Sequence, residues 1–518
     1  MAFYLWIDGE SLLPTSRVAE AEPIVTTGHW TTVEEISLVD GRFLGGSDRL
    51  VVTNPATGQT IAAVGSLPLA GVEHAVVAAR RAFDHGPWPR LAPRERAAAV
   101  LGMVEHLESI EERLVDTAVA ETGCPRAVAA IAQVRMPLRQ ARELVDLFLA
   151  LPEIVPNPVP LTEAVGPGRV TLSAIRHEPV GVVAAISAYN FSLYLNLWKT
   201  LPALLAGNTV VLRPSPLTPL TAFYIGEAAV AAGLPPGAVN VVVEAGINGA
   251  HLMTTHPAVD VVSFTGSTAV GRTIATQAAP TLKRVLLELG GKSVGLYLPE
   301  AIHRVAEGIR QVMVNHAGQA CVAQTRVLVP NTHKQEALDT AAATVDRLTV
   351  GDPDDPAVAV GPVISAAQAA RIAGIVDEAR AGGASVVTGG ARPTGLAAHL
   401  AAENFYAPTI LDCPDQSFAA VREEIFGPVV CVLGYDDVEE AIELANDSTY
   451  ALSAGVYGDP RAALDVAERL QAGTVAVNQG FASAYASSGG WKQSGAGRER
   501  GVEGLRAFQR IKHVAVSA

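Results

Sequence analysis

Two short words in the chain hold the residues best suited to do chemistry. In Asn315-His316-Ala317-Gly318-Gln319-Ala320-Cys321 one cysteine sits among small residues, and in Leu287-Glu288-Leu289-Gly290-Gly291-Lys292 one carboxylate stands beside a Gly-Gly pair. A thiolate is a strong nucleophile toward carbonyl carbon, and a glutamate on flexible backbone can take a proton from water. Together they predict covalent catalysis at a carbonyl carbon followed by hydrolysis. Taken singly, Cys321 reads as a small buried hydrophobe and Glu288 as a carboxylate at a helix or strand end. Cys124, Cys413 and Cys431 have no such setting and are assigned to packing or surface. No Cys-x-x-Cys occurs, so neither a metal site nor a redox dithiol is expected.

Such a pair must be held by rigid elements, and the chain is patterned to supply them. Alanine-rich amphipathic helices are predicted near 71–84, 93–120 and 127–150. A proline-rich break at 152–160 leads into the alternating run Val170-Thr-Leu-Ser-Ala-Ile-Arg176. Apolar runs at 180–186, 209–212, 239–243 and 259–264 then read as buried parallel strands, separated by helical patterns near 194–206, 219–233 and 247–255. This βαβ rhythm implies a doubly wound sheet. A second α/β region runs from about 290 to 485, and Ile511–Val516 looks like a final strand.

The chain has 518 residues, too many for one core, so two or three domains are expected. Nearly half the residues are apolar, 17% are charged and the net charge is −14, with no Lys/Arg cluster, which argues against a nucleic-acid partner. No apolar run reaches the roughly 20 residues needed to span a bilayer. The N-terminus lacks a basic n-region, so a signal peptide is not expected and a cytoplasmic location is.

Phe264-Thr265-Gly266-Ser267-Thr268 joins a strand to a helix, so it offers free backbone N–H groups and a helix dipole to a phosphate, or simply an N-capped turn. With Glu-Leu-Gly-Gly-Lys-Ser at 288–293 and Gly-Gln-x-Cys at 318–321, it resembles the NAD(P)-dependent aldehyde dehydrogenase superfamily over about residues 36–518. That resemblance implies an α/β fold with a Rossmann-type cofactor domain (36–160 and 179–288), an α/β catalytic domain (289–490) and a bridging oligomerisation sheet (161–178 and 491–518). Residues 1–35 form an extension of unknown role. It implies oxidation of an aldehyde to an acid, a CoA-acylating relative or a catalytically silent binding protein being the alternatives, and a homodimer or homotetramer.

By the same resemblance Cys321 is the nucleophile, Glu288 activates water, and Asn190, in Ile186-Ser187-Ala188-Tyr189-Asn190-Phe191, completes an oxyanion hole with the Cys321 backbone N–H. Ala188, Tyr189 and Ser192 depart from the family's Pro-Trp-Asn-Phe-Pro. Lys199 and Glu499 match positions that read equally as a proton relay or a structural salt bridge. The cofactor site would comprise Ile186, Ser187, Ala188, Tyr189, Arg213, Ser215, Glu244, Ala250, Phe264, Gly266, Ser267, Val270, Leu289, Gly290, Glu424 and Phe426. Arg213 stands where relatives carry lysine and favours the extra phosphate of NADP. Glu244 opposes it if it faces the ribose, or is a solvated loop charge. NAD is the expected cofactor, NADP the alternative. Phe191, Trp198, Phe481 and Tyr485 would line the substrate tunnel. The loop 479–488 contains no arginine or lysine, which points to a medium aliphatic or aromatic aldehyde.

Overall fold

The structure, a computed structural model, describes residues 32–160, 165–166, 169–480 and 483–517. Apolar runs buried on both faces make the centre of the first sheet. In Val182–Ile186 and Thr209–Arg213 every residue is buried, as parallel strands covered by helices require. Five parallel strands lie in the spatial order Arg284–Glu288, Val261–Thr265, Val182–Ile186, Thr209–Arg213, Val239–Val241. The hairpin Ser37–Val39/Arg42–Leu44 extends the last of these antiparallel.

Alternate side chains of these strands enter two cores. Val183, Ala185, Val210 and Leu212 pack under Pro93–Ser109, Met136–Ala150, Ser192–Leu205 and Leu220–Ala231, while Val182, Ala184, Val211 and Val262 face Leu69–His85, Asn248–Thr255 and Thr268–Ala278. The strand order reverses between Val182–Ile186 and Val261–Thr265, and a crevice opens at the carboxyl ends of such neighbours. The predicted helix 93–120 is two helices, Pro93–Ser109 and Glu111–Thr122, because Ile110 leaves helical geometry at φ −115°, ψ 24°.

Leu289–Ser293 carries the chain from the first sheet into a second of seven strands. Its first strand, Val294–Tyr297, lies centrally between Arg326–Pro330 and Ser453–Tyr457. Its core is separate from those of the first sheet. The two sheets therefore meet where Glu288 ends one and the loop before Arg326 feeds the other.

A third sheet pairs Arg169–Pro179 antiparallel with Gln509–Ser517, from Thr171↔Ser517 to Pro179↔Gln509. Here the expected boundaries need correcting. Gly495–Ala496 pairs with Leu287 and Glu288 in the first sheet, and Leu505 and Phe508 enter the core of that unit, so among the described residues of 491–518 only Gln509–Ser517 joins the bridging sheet. Ile154–Pro156, expected in the cofactor domain, pairs with Arg169–Pro179 instead. Of the N-terminal extension, Thr32–Val33 pairs with Thr60–Gly65, and residues 1–31 lie outside the described residues.

Candidate active site

The cysteine loop is wound tightly by its backbone. After the helix Val305–Val314, His316, Ala317 and Gly318 have φ of +55°, +51° and +71°. Only glycine adopts that region without penalty, so the two non-glycine residues store strain of about 1–3 kcal/mol each. Gly318 has no alternative: a Cβ there would lie 2.2 Å from the Gly427 carbonyl oxygen.

Gln319, fully buried, holds the loop. Its Nε2 donates to the His316 carbonyl (3.1 Å) and its Oε1 accepts from the Ile364 N–H (3.0 Å). His316 packs edge-on against Phe191, ring centroids 5.9 Å apart, and burial pushes its pKa down to about 3, so it is neutral. Sequence reading gave neither residue a role. A polar pair buried beside a cysteine is the signal that could have found them.

Cys321 is half-buried and faces a cavity of about 850 Å³. Burial, then the carboxylates Glu424 and Glu288, push its pKa up to about 12, and its own backbone N–H acts in the opposite sense. The free protein thus holds a thiol rather than a thiolate. Asn190 lines the same cavity and donates from Nδ2 to the Gln319 carbonyl (2.9 Å). A carboxamide nitrogen carries two hydrogens, so one fixes the group and the other is left for a ligand.

Glu288 ends its strand at the cavity wall. Burial, and then repulsion from Glu499, raise its pKa well above the usual carboxylate range, against the pull of Lys199, Arg498 and Arg500. Lys199 is fully buried and donates from Nζ to Glu499 Oε1 (2.8 Å) and Ser263 Oγ (3.2 Å). Glu499 lines the cavity and Lys199 lies behind it, so the pair is an ion pair set against Glu288.

The other arm of the cavity is lined by Ala188, Tyr189, Ser215, Phe264, Gly266, Ser267, Val270, Leu289, Gly290, Glu424 and Phe426. Ser267 caps the helix Thr268–Ala278 by accepting from the Val270 N–H (3.4 Å). Glu424 Oε1 accepts from the Gly291 N–H (2.9 Å), and a Cβ at Gly290 would meet Glu424 Oε2 at 2.3 Å. Tyr189 packs edge-on against Phe426, ring centroids 5.9 Å apart. A helix N-terminus for a phosphate, a side-chain-free strip and a carboxylate beside an aromatic ring in one crevice fit a dinucleotide.

Five expected cofactor residues lie outside the cavity lining. Ile186 and Ser187 are buried beneath it, Ser187 Oγ donating to Asn196 Oδ1 (2.6 Å). Arg213 and Glu244 form a buried ion pair, with Arg213 Nε donating to Glu244 Oε1 (2.6 Å). Glu244 is therefore not a solvated loop charge. Its remaining capacity takes the Gly249 and Ala250 N–H groups (2.8 and 2.9 Å) at the start of the helix Asn248–Thr255, so Ala250 acts through its backbone.

On the substrate side Phe191 lines the cavity as expected. Trp198 does not: it lies in the core one turn deeper on its helix, behind Tyr194, which takes the lining position. Tyr485 is exposed and outside the lining, and Phe481 lies outside the described residues. Ala132, Met136 and Gln140 were read only as an amphipathic helix. A π-helical turn over Ala129–Arg135 precedes Met136–Ala150, and all three residues reach the cavity. Arg500 also reaches it, so the cation absent from 479–488 is supplied by the segment that follows.

The sequence profile of the aldehyde dehydrogenase family matches residues 44–514. The chain is 36% identical over 496 residues to aminoacetaldehyde dehydrogenase of Pseudomonas aeruginosa, covering 93% of this chain and 95% of that one. It is also 36% identical over 482 residues to geranial dehydrogenase of Castellaniella defragrans, covering 91% and 98%. Among solved structures, aldehyde dehydrogenase C of Pseudomonas syringae, a mutant complexed with NAD+ and octanal, superposes with a TM-score of 0.86 at 36% identity, over 93% of this chain and 96% of that one. Betaine aldehyde dehydrogenase of Staphylococcus aureus in complex with NAD+ gives 0.88 at 32% identity, over 93% and 95%.

Proposed function

The chain belongs to the aldehyde dehydrogenase family, and from that premise we propose that it oxidises an aldehyde to a carboxylic acid with NAD through a thioester on Cys321. The observation that carries this reading is one cavity that holds Cys321, Asn190 and Glu288 together and continues to Gly266, Ser267, Glu424 and Phe426. Cys321 Sγ adds to the carbonyl carbon. The free Nδ2 hydrogen of Asn190 and the Cys321 N–H receive the oxyanion. Ser267 and the helix it caps would hold the pyrophosphate, Glu424 the ribose and Phe426 the ring. When bound, NAD supplies the hydride acceptor and a cationic ring that favours the thiolate. Loss of hydride from the substrate carbon leaves a thioester. Glu288 takes a proton from water, the hydroxide displaces Cys321, and the acid leaves. Glu499, held in place by Lys199, repels the Glu288 carboxylate and makes it the stronger base, with Lys199 acting in the opposite sense.

Absorbance of reduced nicotinamide across an aldehyde panel tests the reading. Turnover without CoA supports it. A strict need for CoA would instead indicate acyl transfer, and bound NAD with no reduction a silent protein.

The Arg213–Glu244 pair bears on NAD against NADP. A guanidinium already held by Glu244 and by the Gly246 carbonyl (2.6 Å) has little left for a 2′-phosphate. NAD is the preferred cofactor on this reading. Glu244→Gln releases the cation, and the kcat/KM ratio should move toward NADP by about tenfold, the worth of one charge-assisted contact. Steady-state constants for both cofactors check this; a wild type that prefers NADP would sink the assignment.

Assembly as a homodimer, paired again into a tetramer, is the further part of the proposal. Leu172, Ile511, Val514 and Val516 are apolar and exposed along paired strands, an edge that invites another copy. Light scattering should give a tetramer for the whole chain and a smaller species for a chain ending at Arg510. An unchanged oligomer after truncation would remove the tail from the interface. A cytoplasmic site is supported by four free thiols. No helix among the described residues is long and apolar enough to cross a membrane.

A further inference from the structure

The substrate arm of the cavity is walled by Met136, Gln140, Tyr194, Leu195 and Val322, with one cation, Arg500, among them. Arg500 lines the same cavity as Cys321, Tyr194 and Glu288, and its charge is felt by both Tyr194 and Glu288. Arg371, the other arginine of the cavity, is occupied by the Glu424 and Ile425 carbonyls. Arg500 makes no hydrogen bond or ion pair from its side chain among the described residues, and its nearest chain neighbour, Glu499, is engaged by Lys199.

Its backbone is held in an unfavourable region for a bulky residue, φ +57° and ψ 171°. Ser488 and Glu499 exchange backbone hydrogen bonds (2.7 and 2.8 Å) before it, and the Gly501 N–H donates to the Ala484 carbonyl (3.0 Å) after it. Strain kept in place by neighbours on both sides is what a residue aimed at a ligand requires.

Resting on the oxidation proposed above, we infer that Arg500 selects aldehydes that carry a carboxylate at the end remote from the aldehyde. Its fork matches a carboxylate in two parallel hydrogen bonds, and the apolar side chains of Met136, Leu195 and Val322 in the same cavity receive the methylene chain. Aldehydes with a remote ammonium group are repelled.

The test compares ω-oxo-carboxylates with n-alkanals of equal chain length and with an ω-aminoaldehyde, using the full chain and NAD. For the best chain length, kcat/KM for the oxo-acid should exceed that for the alkanal by about 10- to 100-fold, the worth of a charge-assisted pair. Arg500→Gln should erase that ratio, chiefly through KM of the oxo-acid, and Arg500→Lys should restore part of it, because charge returns without the fork. Alkanals oxidised as well as oxo-acids would overturn the inference and leave the oxidation standing. So would Arg500→Gln lowering every aldehyde by one factor, which places Arg500 with Glu288 or with the fold. No oxidation of any aldehyde by the wild type would overturn both.

Discussion

Cys321→Ser abolishes aldehyde-dependent reduction of NAD while the protein still binds the cofactor. A serine hydroxyl lacks the nucleophilicity of a thiolate, and no neutral base is poised to activate it, since His316 sits buried behind Phe191. The loss should reach on the order of 10³-fold or more, about 4 kcal/mol of transition-state stabilisation. Serine fits the loop, because the left-handed turn is held by Gln319 and Gly318 and not by the sulfur. Reduced nicotinamide formed per unit time gives the loss, and quenching of protein fluorescence by NAD gives the binding. A variant retaining more than about a tenth of the activity would move the nucleophile elsewhere.

Glu288→Gln separates the two halves of the reaction. The first half needs Cys321 and Asn190, so rapid mixing should show a burst near one equivalent of reduced cofactor per site. The second half needs a base for water, and steady turnover should fall by about 10²- to 10⁴-fold. The pH dependence has a definite sign. Only the ionised carboxylate accepts a proton, and burial with Glu499 raises its pKa. Wild-type turnover limited by hydrolysis therefore climbs with pH through a limb above the usual carboxylate range, and the glutamine variant lacks that limb. No burst at all would show that hydride transfer itself needs this carboxylate.

What the sequence could disclose was what is local. Val182–Ile186 and Thr209–Arg213 announce themselves as continuous apolar runs, because a strand covered on both faces needs nothing else. Cys321, Glu288 and Asn190 stand in short words whose spacing is fixed along the chain, and all three face one cavity. Contacts between distant segments carry no such mark. Gly495–Ala496 joins a strand that ends at Glu288, and nothing in either stretch names the other. Arg213 and Glu244 stand apart in sequence as two charges of opposite effect on one ligand, yet each is the other's partner across 31 residues. Trp198 shares a helix face with Phe191 and Tyr194, and only the depth of packing tells that it stops in the core. The loop 479–488 contains no arginine or lysine, and the cation that lines the cavity, Arg500, comes from further along the chain.

The hydrogen bond from Asn190 to the Gln319 carbonyl runs between the two units, Asn190 following a strand of the first sheet and Gln319 preceding a strand of the second. Gln319 in turn is fastened by Ile364, deeper in the second unit. The oxyanion pocket is thus an interlock. Its two donors come into register only while the units stay in contact, and a separation of an ångström or two breaks the bond that aims the carboxamide. The bond is made between protein groups alone at the cavity wall, so the fold itself aims the carboxamide.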